Sequence, residues 1–359
     1  MINLNYPLLK PVRILLLPFS LIYGLVVCIR NWMFDKKIIQ SASFNLPLIG
    51  VGNLVVGGTG KSPMVELLLE KLKPDFKVAV LSRGYKRKTR GYALATEDTN
   101  ALEIGDEPMQ FFNKFPDVTV AVGEERIVAI PQLLHDRPDT EVIILDDAFQ
   151  HRYVKAGFNI LLTDVNNLFT RDWFLPTGDL RDQKKSYLRA DIIVITKCPP
   201  DLSLAEKHHL IREIDPADHQ KIFFSAISYG EPYQIITKEK YKPLRDTEAL
   251  LVTGIANPDP LKKHLEEFFK EYDEMAFGDH HIFTIDDLKS ILKRFQGIES
   301  DHKIILTTEK DSVRLLKFAQ QLKELPLLVI PIRPVILFHE EKEFMHLITT
   351  FIQDFPDQA

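Results

Sequence analysis

The chain has 359 residues, 45% of them hydrophobic and 26% charged, an ordinary globular composition that excludes disorder, collagen and coiled coil as its main organisation. The 45 basic and 50 acidic side chains leave a net charge of −5, so no global field selects nucleic acid, and an anionic partner must be met by a local basic patch. The two cysteines, Cys28 and Cys198, lie far apart without CxxC spacing, which suits a reducing cytosol and argues against a disulfide framework or a structural zinc site.

The first predicted element is a helix over residues 14–29, ILLLPFSLIYGLVVCI, uncharged between Arg13 and Arg30. At ~1.5 Å per residue it covers roughly 24 Å, short of the ~30 Å hydrocarbon core of a bilayer. Apolar residues surround it, and Pro18 and Gly24 invite a kink or a re-entrant shape. A signal peptide would need a cleavage site where Asn31, Trp32, Met33, Phe34, Asp35, Lys36 and Lys37 stand, and a buried core helix is the other alternative. The favoured reading is a shallow membrane anchor within residues 1–40. It places Lys10, Arg13, Arg30, Lys36 and Lys37 at headgroup level, with Trp32 and Tyr23 at the interface.

Strands are predicted at 46–51, 77–82, 118–122, 142–146, 160–164, 192–196, 222–226, 249–253, 304–308 and 327–330, with helices such as 64–72 and 260–269 between them. Continuous Val/Ile/Leu runs mark strands buried on both faces of a parallel sheet. Their alternation with helices predicts a doubly wound, mostly parallel α/β architecture. A polar, turn-rich stretch at 227–244, containing Gly230, Pro232 and Pro243, separates a core at 41–230 from a smaller C-terminal α/β lobe at 244–359.

Residues 50–63, GVGNLVVGGTGKSP, place a glycine-rich turn between a buried strand and a helix. In a P-loop NTPase-like fold, Val55, Val56, Gly57, Gly58, Thr59 and Gly60 would cradle phosphate with backbone N–H groups. Lys61 would reach the β- and γ-phosphates, and the Ser62 hydroxyl would ligate Mg²⁺. The strict pattern has glycine where Val55 stands, and a turn that merely joins strand to helix is the plainer alternative. Residues 142–147, VIILDD, end a buried strand in two carboxylates: Asp146 would hold Mg²⁺ and Asp147 would support it, unless the pair only caps a helix starting at Ala148. Together the two motifs point to a nucleoside triphosphate with Mg²⁺.

Gly105-Asp106-Glu107-Pro108 sets two carboxylates before a proline that biases Glu107 toward an extended conformation, so the segment either presents Asp106 to a hydroxyl or is a surface turn. Residues 82–92, SRGYKRKTRGY, concentrate Arg83, Lys86, Arg87, Lys88 and Arg90 with Tyr85 and Tyr92. The run is either a solvated loop or a contact for acidic headgroups or a substrate phosphate. In Asp279-His280-His281, a general acid/base or nucleotide-contacting histidine is favoured over a structural one, and a metal site comes last. Residues 307–313, TTEKDSV, read as a strand end and a helix start with Asp311 in the first turn.

The ordered blocks GNLVVGGTGKSP, LSRGYKRKTRGY, GDEP, LDDAFQHR, LPTGDLRD, VITK, TGIANPDPL, GDHHIFT and TTEKDSVRL, behind an N-terminal apolar segment, resemble the tetraacyldisaccharide 4′-kinases of lipid A biosynthesis. The resemblance runs from about residue 18 to 316, and that family too lacks glycine at the position of Val55. It implies transfer of the ATP γ-phosphate to the 4′-hydroxyl of a tetraacyldisaccharide 1-phosphate glycolipid, at the cytoplasmic face of the bacterial inner membrane, through a monotopic or single N-terminal helix. Lys61 and Ser62 match the phosphate-loop pair, Asp146 and Asp147 the metal-supporting pair, and Asp106 the catalytic aspartate, paired there with a histidine that matches His280. Glu107, Gln150, His151 and His281 accompany these positions, and Arg181 matches an arginine followed in the family by Glu-Pro where this chain has Asp182-Gln183. Arg83 and the basic run would face the bilayer or the substrate's 1-phosphate. The alternatives are a P-loop GTPase, loosely suggested by Thr196-Lys197 and Asp201, and a membrane-associated nucleotide-binding regulator.

Overall fold

The computed structural model describes residues 13–242, 244, 246–269, 271–279 and 281–356. In chain order the strands are β1 (Leu48–Asn53), β2 (Val78–Ser82), β3 (Ala93–Leu94), β4 (Thr119–Val122), β5 (Val142–Asp146), β6 (Phe158–Asp164), β7 (Ile192–Thr196), β8 (Lys221–Tyr229), β9 (Tyr233–Gln234), β10 (Glu248–Thr253), β11 (Tyr272–Ala276), β12 (Lys303–Thr308), β13 (Leu327–Ile330) and β14 (Ile332–Ile336). The helices are α1 (Leu17–Asp35), α2 (Lys61–Leu72), α3 (Ala101–Ile104), α4 (Asp106–Lys114), α5 (Arg126–Asp136), α6 (Leu204–Ile214), α7 (Asp259–Phe268), α8 (Ile285–Gln296), α9 (Glu309–Leu315), α10 (Ala319–Leu322) and α11 (Glu341–Gln353).

Among the described residues the strands form two sheets. The larger runs β14-β8-β7-β6-β1-β5-β2-β4-β3 and is parallel except at its two edges, where β14 and β3 pair antiparallel. Strands β1, β2, β5 and β7 are buried along their whole length, as apolar runs covered on both faces must be. Leu68 of α2, Phe111 of α4 and Phe344 and Ile348 of α11 cover one face, and Ile130 and Leu133 of α5 and Leu210 and Ile214 of α6 lie against the other. The smaller sheet, β11-β10-β12-β13-β9, is parallel except for β9, with α8 on one face and α7 on the other.

Each predicted strand is present; β3, β9, β11 and β14 are additional. These are sheet margins, where short length, charge or a proline such as Pro334 suppresses the buried-strand pattern. The segment 332–353, expected in the smaller lobe, returns instead to the larger sheet. There β14 closes the open edge of β8 and the apolar face of α11 is buried beside it.

Helix α1 is continuous. Pro18 falls in its first turn, where a missing N–H costs little, and Gly24 admits the Phe174 ring, since a Cβ there would lie 2.7 Å from that ring. The helix is also two-faced. Ser20, Gly24, Asn31 and Phe34 are buried against the body, while Leu15, just before it, and Phe19, Leu21, Ile22, Leu25, Val26, Ile29 and Trp32 point away from it. Three expected headgroup or interface residues turn inward. Arg13 is buried and pairs with Asp179 at 2.8 Å, Tyr23 donates to the Arg181 carbonyl at 3.1 Å, and Arg30 donates to the Gln150 carbonyl at 3.0 Å. Their polar heads are taken up by open carbonyls and a carboxylate of the body. Lys36, Lys37 and Trp32 are exposed, and Lys10 lies outside the described residues.

Candidate active site

The site is built at the carboxyl ends of the parallel strands, where an open α/β sheet presents ligand groups beside a switch in strand order. Strand β1 is flanked by β5 and β6, and the chain leaves it through the glycine turn into α2. Gly57 (φ 110°) and Gly60 (φ 83°) occupy left-handed backbone that a side chain would strain. No atom lies within 4 Å of a Cβ built on Gly57 or Gly58, so the loop has an open surface above them. Its outer half is stapled to the segment before Arg181. The Val56 N–H donates to the Asp179 carbonyl at 2.8 Å, the Arg181 N–H to the Leu54 carbonyl at 2.9 Å, and Val55 is buried. The Val56 amide, expected on phosphate, is therefore committed to the protein. Thr59 accepts from Asn53 Nδ2 at 2.8 Å through its hydroxyl and from Thr196 Oγ1 at 2.9 Å through its carbonyl.

Lys61 Nζ stands 3.5 Å from Asn53 Oδ1 and 3.6 Å from Asp147 Oδ1. Arg181 grips Asp147 with both terminal nitrogens, Nη1 to Oδ2 at 3.0 Å, and reaches Asn53 as well. Asp147 itself takes a left-handed φ of 50°, which turns its carboxylate toward the loop. Although burial pushes the Asp147 carboxyl upward, the Arg181 hydrogen bond and the Lys61 charge hold it well below the usual carboxylate range. The preceding Asp146 behaves oppositely: burial first, then the charge of Glu107, push it up to about 7, against the hydrogen bond from Ser82 Oγ at 2.6 Å. Its other oxygen, Oδ1, is buried and accepts no hydrogen bond among the described residues. An orphaned carboxylate oxygen of this kind fits a divalent cation, and Ser62, in the first turn of α2, offers a hydroxyl as a further ligand.

Buried Arg126 braces the same strand end, donating from Nη2 to the Asp146 carbonyl at 2.9 Å and from Nη1 to the Gly123 carbonyl at 2.6 Å. Burial, then the charges of Arg126 and exposed Arg83, push His151 down to about 4, so the imidazole is neutral at pH 7. Gln150 Nε2 donates to the Asn53 carbonyl at 2.6 Å.

The GDEP segment is helical rather than extended. Gly105, at φ 97°, makes the sharp entry to α4, where a Cβ would lie 3.1 Å from the Tyr85 carbonyl. Pro108 then fits the first turn, and Asp106 and Glu107 both begin the helix. Asp106 Oδ2 accepts from Arg314 Nε at 2.9 Å and lies 2.8 Å from Nη2, so α9 of the smaller unit reaches it directly. Thr308 caps α9, and buried Asp311 accepts from the Gly254 N–H at 2.9 Å and from Arg314 Nη1 at 3.1 Å.

His280 lies outside the described residues. His281 is tied within the smaller unit, its Nε2 2.9 Å from Asp287 Oδ2 and its ring stacked on Phe277. A group of three or more His, Cys, Asp or Glu residues able to hold a metal is absent among the described residues, which do not include His280 of the Asp-His-His triplet. Asp182 is buried and accepts from Asn31 Nδ2 at 2.6 Å, the Gln183 N–H at 2.8 Å, Ser186 Oγ at 3.0 Å and Arg189 Nη2 at 2.9 Å, which consumes its oxygens structurally. Within the basic run, Arg87 turns inward onto Glu124 at 2.8 Å rather than outward to a headgroup. Sequence reasoning missed Asn53, Ser82, Thr196, Arg126 and Arg314. For the first three the available signal was a single polar residue closing an otherwise apolar parallel strand.

Known proteins are similar to this chain along nearly its whole length. The model of the tetraacyldisaccharide-1-P 4′-kinase family matches residues 12–353. The chain is 42% identical over 353 residues to the tetraacyldisaccharide 4′-kinase of Bacteroides thetaiotaomicron, covering 94% of this chain and 93% of that one. It is 46% identical over 319 residues to that of Flavobacterium johnsoniae, covering 88% and 92%. The crystal structure of LpxK from Aquifex aeolicus in complex with ATP matches with a TM-score of 0.75 at 28% identity, over 95% of this chain and 99% of that one. With its loop, its acidic strand end and nearly its whole length accounted for, the chain belongs to the tetraacyldisaccharide 4′-kinase family.

Proposed function

We propose that this protein transfers the γ-phosphate of ATP to the 4′-hydroxyl of a tetraacyldisaccharide 1-phosphate, giving the bisphosphorylated lipid A precursor. Family membership supports the reaction. The observation that carries the assignment of residues is the orphaned, buried Asp146 Oδ1 beside the Lys61–Asp147–Arg181 network at the mouth of the glycine loop. Asp146 and Ser62 would hold Mg²⁺, which when bound neutralises charge on the β- and γ-phosphates. Lys61 exchanges its contact with Asp147 for phosphate, and Arg181 keeps Asp147 ionised and in place. Asp106 accepts the proton of the acceptor hydroxyl as it attacks, and His280 relieves it of that proton. Phosphoryl transfer depends chiefly on such positioning and electrostatics.

The outward apolar face of α1 supports attachment to the membrane. Within residues 14–35 an 18-residue window has a mean hydropathy of 1.9 with 22% of it buried, long and apolar enough to cross a bilayer by length and composition. Because the inner face is pinned to the body by Arg13, Ser20, Tyr23 and Asn31, the helix lies on the membrane as a monotopic anchor at the cytoplasmic face, with acyl chains left in the lipid. Mass spectrometry after incubation with ATP and detergent-dispersed disaccharide 1-phosphate tests the reading: one phosphate is gained on the distal sugar. Asp106→Asn is expected to lower kcat by about 10²-fold or more with ATP affinity retained. A near-full rate in that variant removes Asp106 from the role of base.

A further inference from the structure

Outside the strand ends, the described residues contain a second buried charge cluster. Glu66 lies on the phosphate-loop helix α2 and is buried, although it is ionisable. Its Oε2 is 2.6 Å from Nζ of Lys114, the last residue of α4, and its Oε1 accepts from Gln110 Nε2 at 2.6 Å. The same ammonium lies 2.6 Å from Oε1 of buried Glu309, the first residue of α9, whose Oε2 accepts from the Ile332 N–H at 3.0 Å. One cation thus joins three elements: the helix that starts at Lys61, the helix that starts at Asp106, and the helix of the smaller unit that carries Arg314.

Helix α9 therefore grips α4 at both ends, by Arg314 on Asp106 and by Glu309 on Lys114. Only the second grip also includes α2. A buried ion triad is not needed for stability as such, since apolar side chains of similar volume often serve equally well. Its charges instead demand one geometry, because any displacement of α4 takes the ammonium away from two carboxylates that are each about 5% exposed.

We infer that Lys114, held between Glu66 and Glu309, is a positioning residue for phosphoryl transfer: it locks the helix bearing Asp106 against both the phosphate-loop helix and the smaller unit, and so sets the distance from acceptor base to donor phosphate. This rests on the reading of Asp106 as the base. Small errors in that distance are costly to rate, so the effect falls on kcat rather than on ATP binding.

The test uses the full chain in detergent with ATP and the disaccharide 1-phosphate. Lys114→Met is expected to lower kcat about 10-fold or more while the KM for ATP stays within about threefold, and Lys114→Arg, which keeps the charge, to recover most of the loss. If Lys114→Met does not fold, Glu309→Gln decides, with an expected loss of about threefold in kcat at an unchanged melting temperature. A folded Lys114→Met or Glu309→Gln enzyme with wild-type kcat overturns the inference, as does a loss confined to the KM for ATP. Asp106→Asn, measured alongside, separates the two readings. An active Asp106→Asn with a slow Lys114→Met removes the base, whereas an inactive Asp106→Asn with a fast Lys114→Met removes only the positioning role.

Discussion

The phosphate loop is supported from two sides, and the supports differ in kind. On one side α1 and the segment 172–182 hold it through hydrogen bonds that end mostly on backbone. Ser20 Oγ donates to the Phe174 carbonyl at 2.9 Å and accepts from the Thr177 N–H at 2.9 Å, and the Asp179 carbonyl takes up Val56. On the other side α4 and α9 hold it through side-chain ions, Glu66, Lys114 and Glu309. Backbone partners fix the shape of a loop and do not titrate, and the two ion pairs on this side, Arg13–Asp179 and Asp182–Arg189, anchor α1 and the 172–182 segment rather than linking the two units. Ion pairs between separate helices fix the relation of two bodies and respond to charge. The support from α1 therefore sets whether the loop keeps its shape, and the interlobe support sets where Asp106, the proposed base, stands relative to it.

The sharpest way to break the first support is at Asp182. Asp182→Ala removes the acceptor of four hydrogen bonds and leaves the half-buried Arg189 with only the Phe149 carbonyl and ring, so unfolding should become easier by about 2–4 kcal/mol, read by denaturant titration in detergent. An intermediate effect distinguishes the second. Burial, then the Glu309 charge, raises Glu66 from its ordinary 4.5 to about 7. A group whose folded pKa is raised stabilises fully below its unfolded value, and that contribution is lost as pH rises through about 7. Stability should therefore fall between about pH 4.5 and 7, and Glu66→Gln should flatten that slope; an equal slope in the variant would place the titration elsewhere. The smallest expected change is Ser20→Ala, about 1 kcal/mol in stability with no altered pH dependence, because it removes hydrogen bonds to neutral backbone.

The glycine loop was legible because its pattern is local. Gly57, Gly60, Lys61 and Ser62 are neighbours in sequence, and the roles proposed for them follow from backbone conformation and reach. Asp146 and Asp147 were legible for the same reason, at the end of an unmistakably buried strand. The partners were not, since nothing in the sequence brings Arg181 to Asp147, Arg314 to Asp106, or Lys114 to Glu66 across 48 residues and to Glu309 across 195. Helix α1 shows the limit most clearly. Read as a string, residues 14–29 are apolar all round, and only docking reveals that Ser20, Gly24 and Asn31 form one stripe fitted to the body while the remaining faces stay apolar and outward.

The sequence by itself determined the α/β architecture and a nucleoside triphosphate site, because buried-strand runs, a glycine cradle and paired carboxylates are short-range patterns with few physical alternatives, whereas the reaction was implied only by the resemblance of the ordered blocks to a known family. Only the tertiary structure decided which charges are neutralised, which face of α1 is free, and that residues 332–353 return to the larger sheet. Those outcomes depend on desolvation and pairing between distant segments, whose energies arise only once the chain has closed around them.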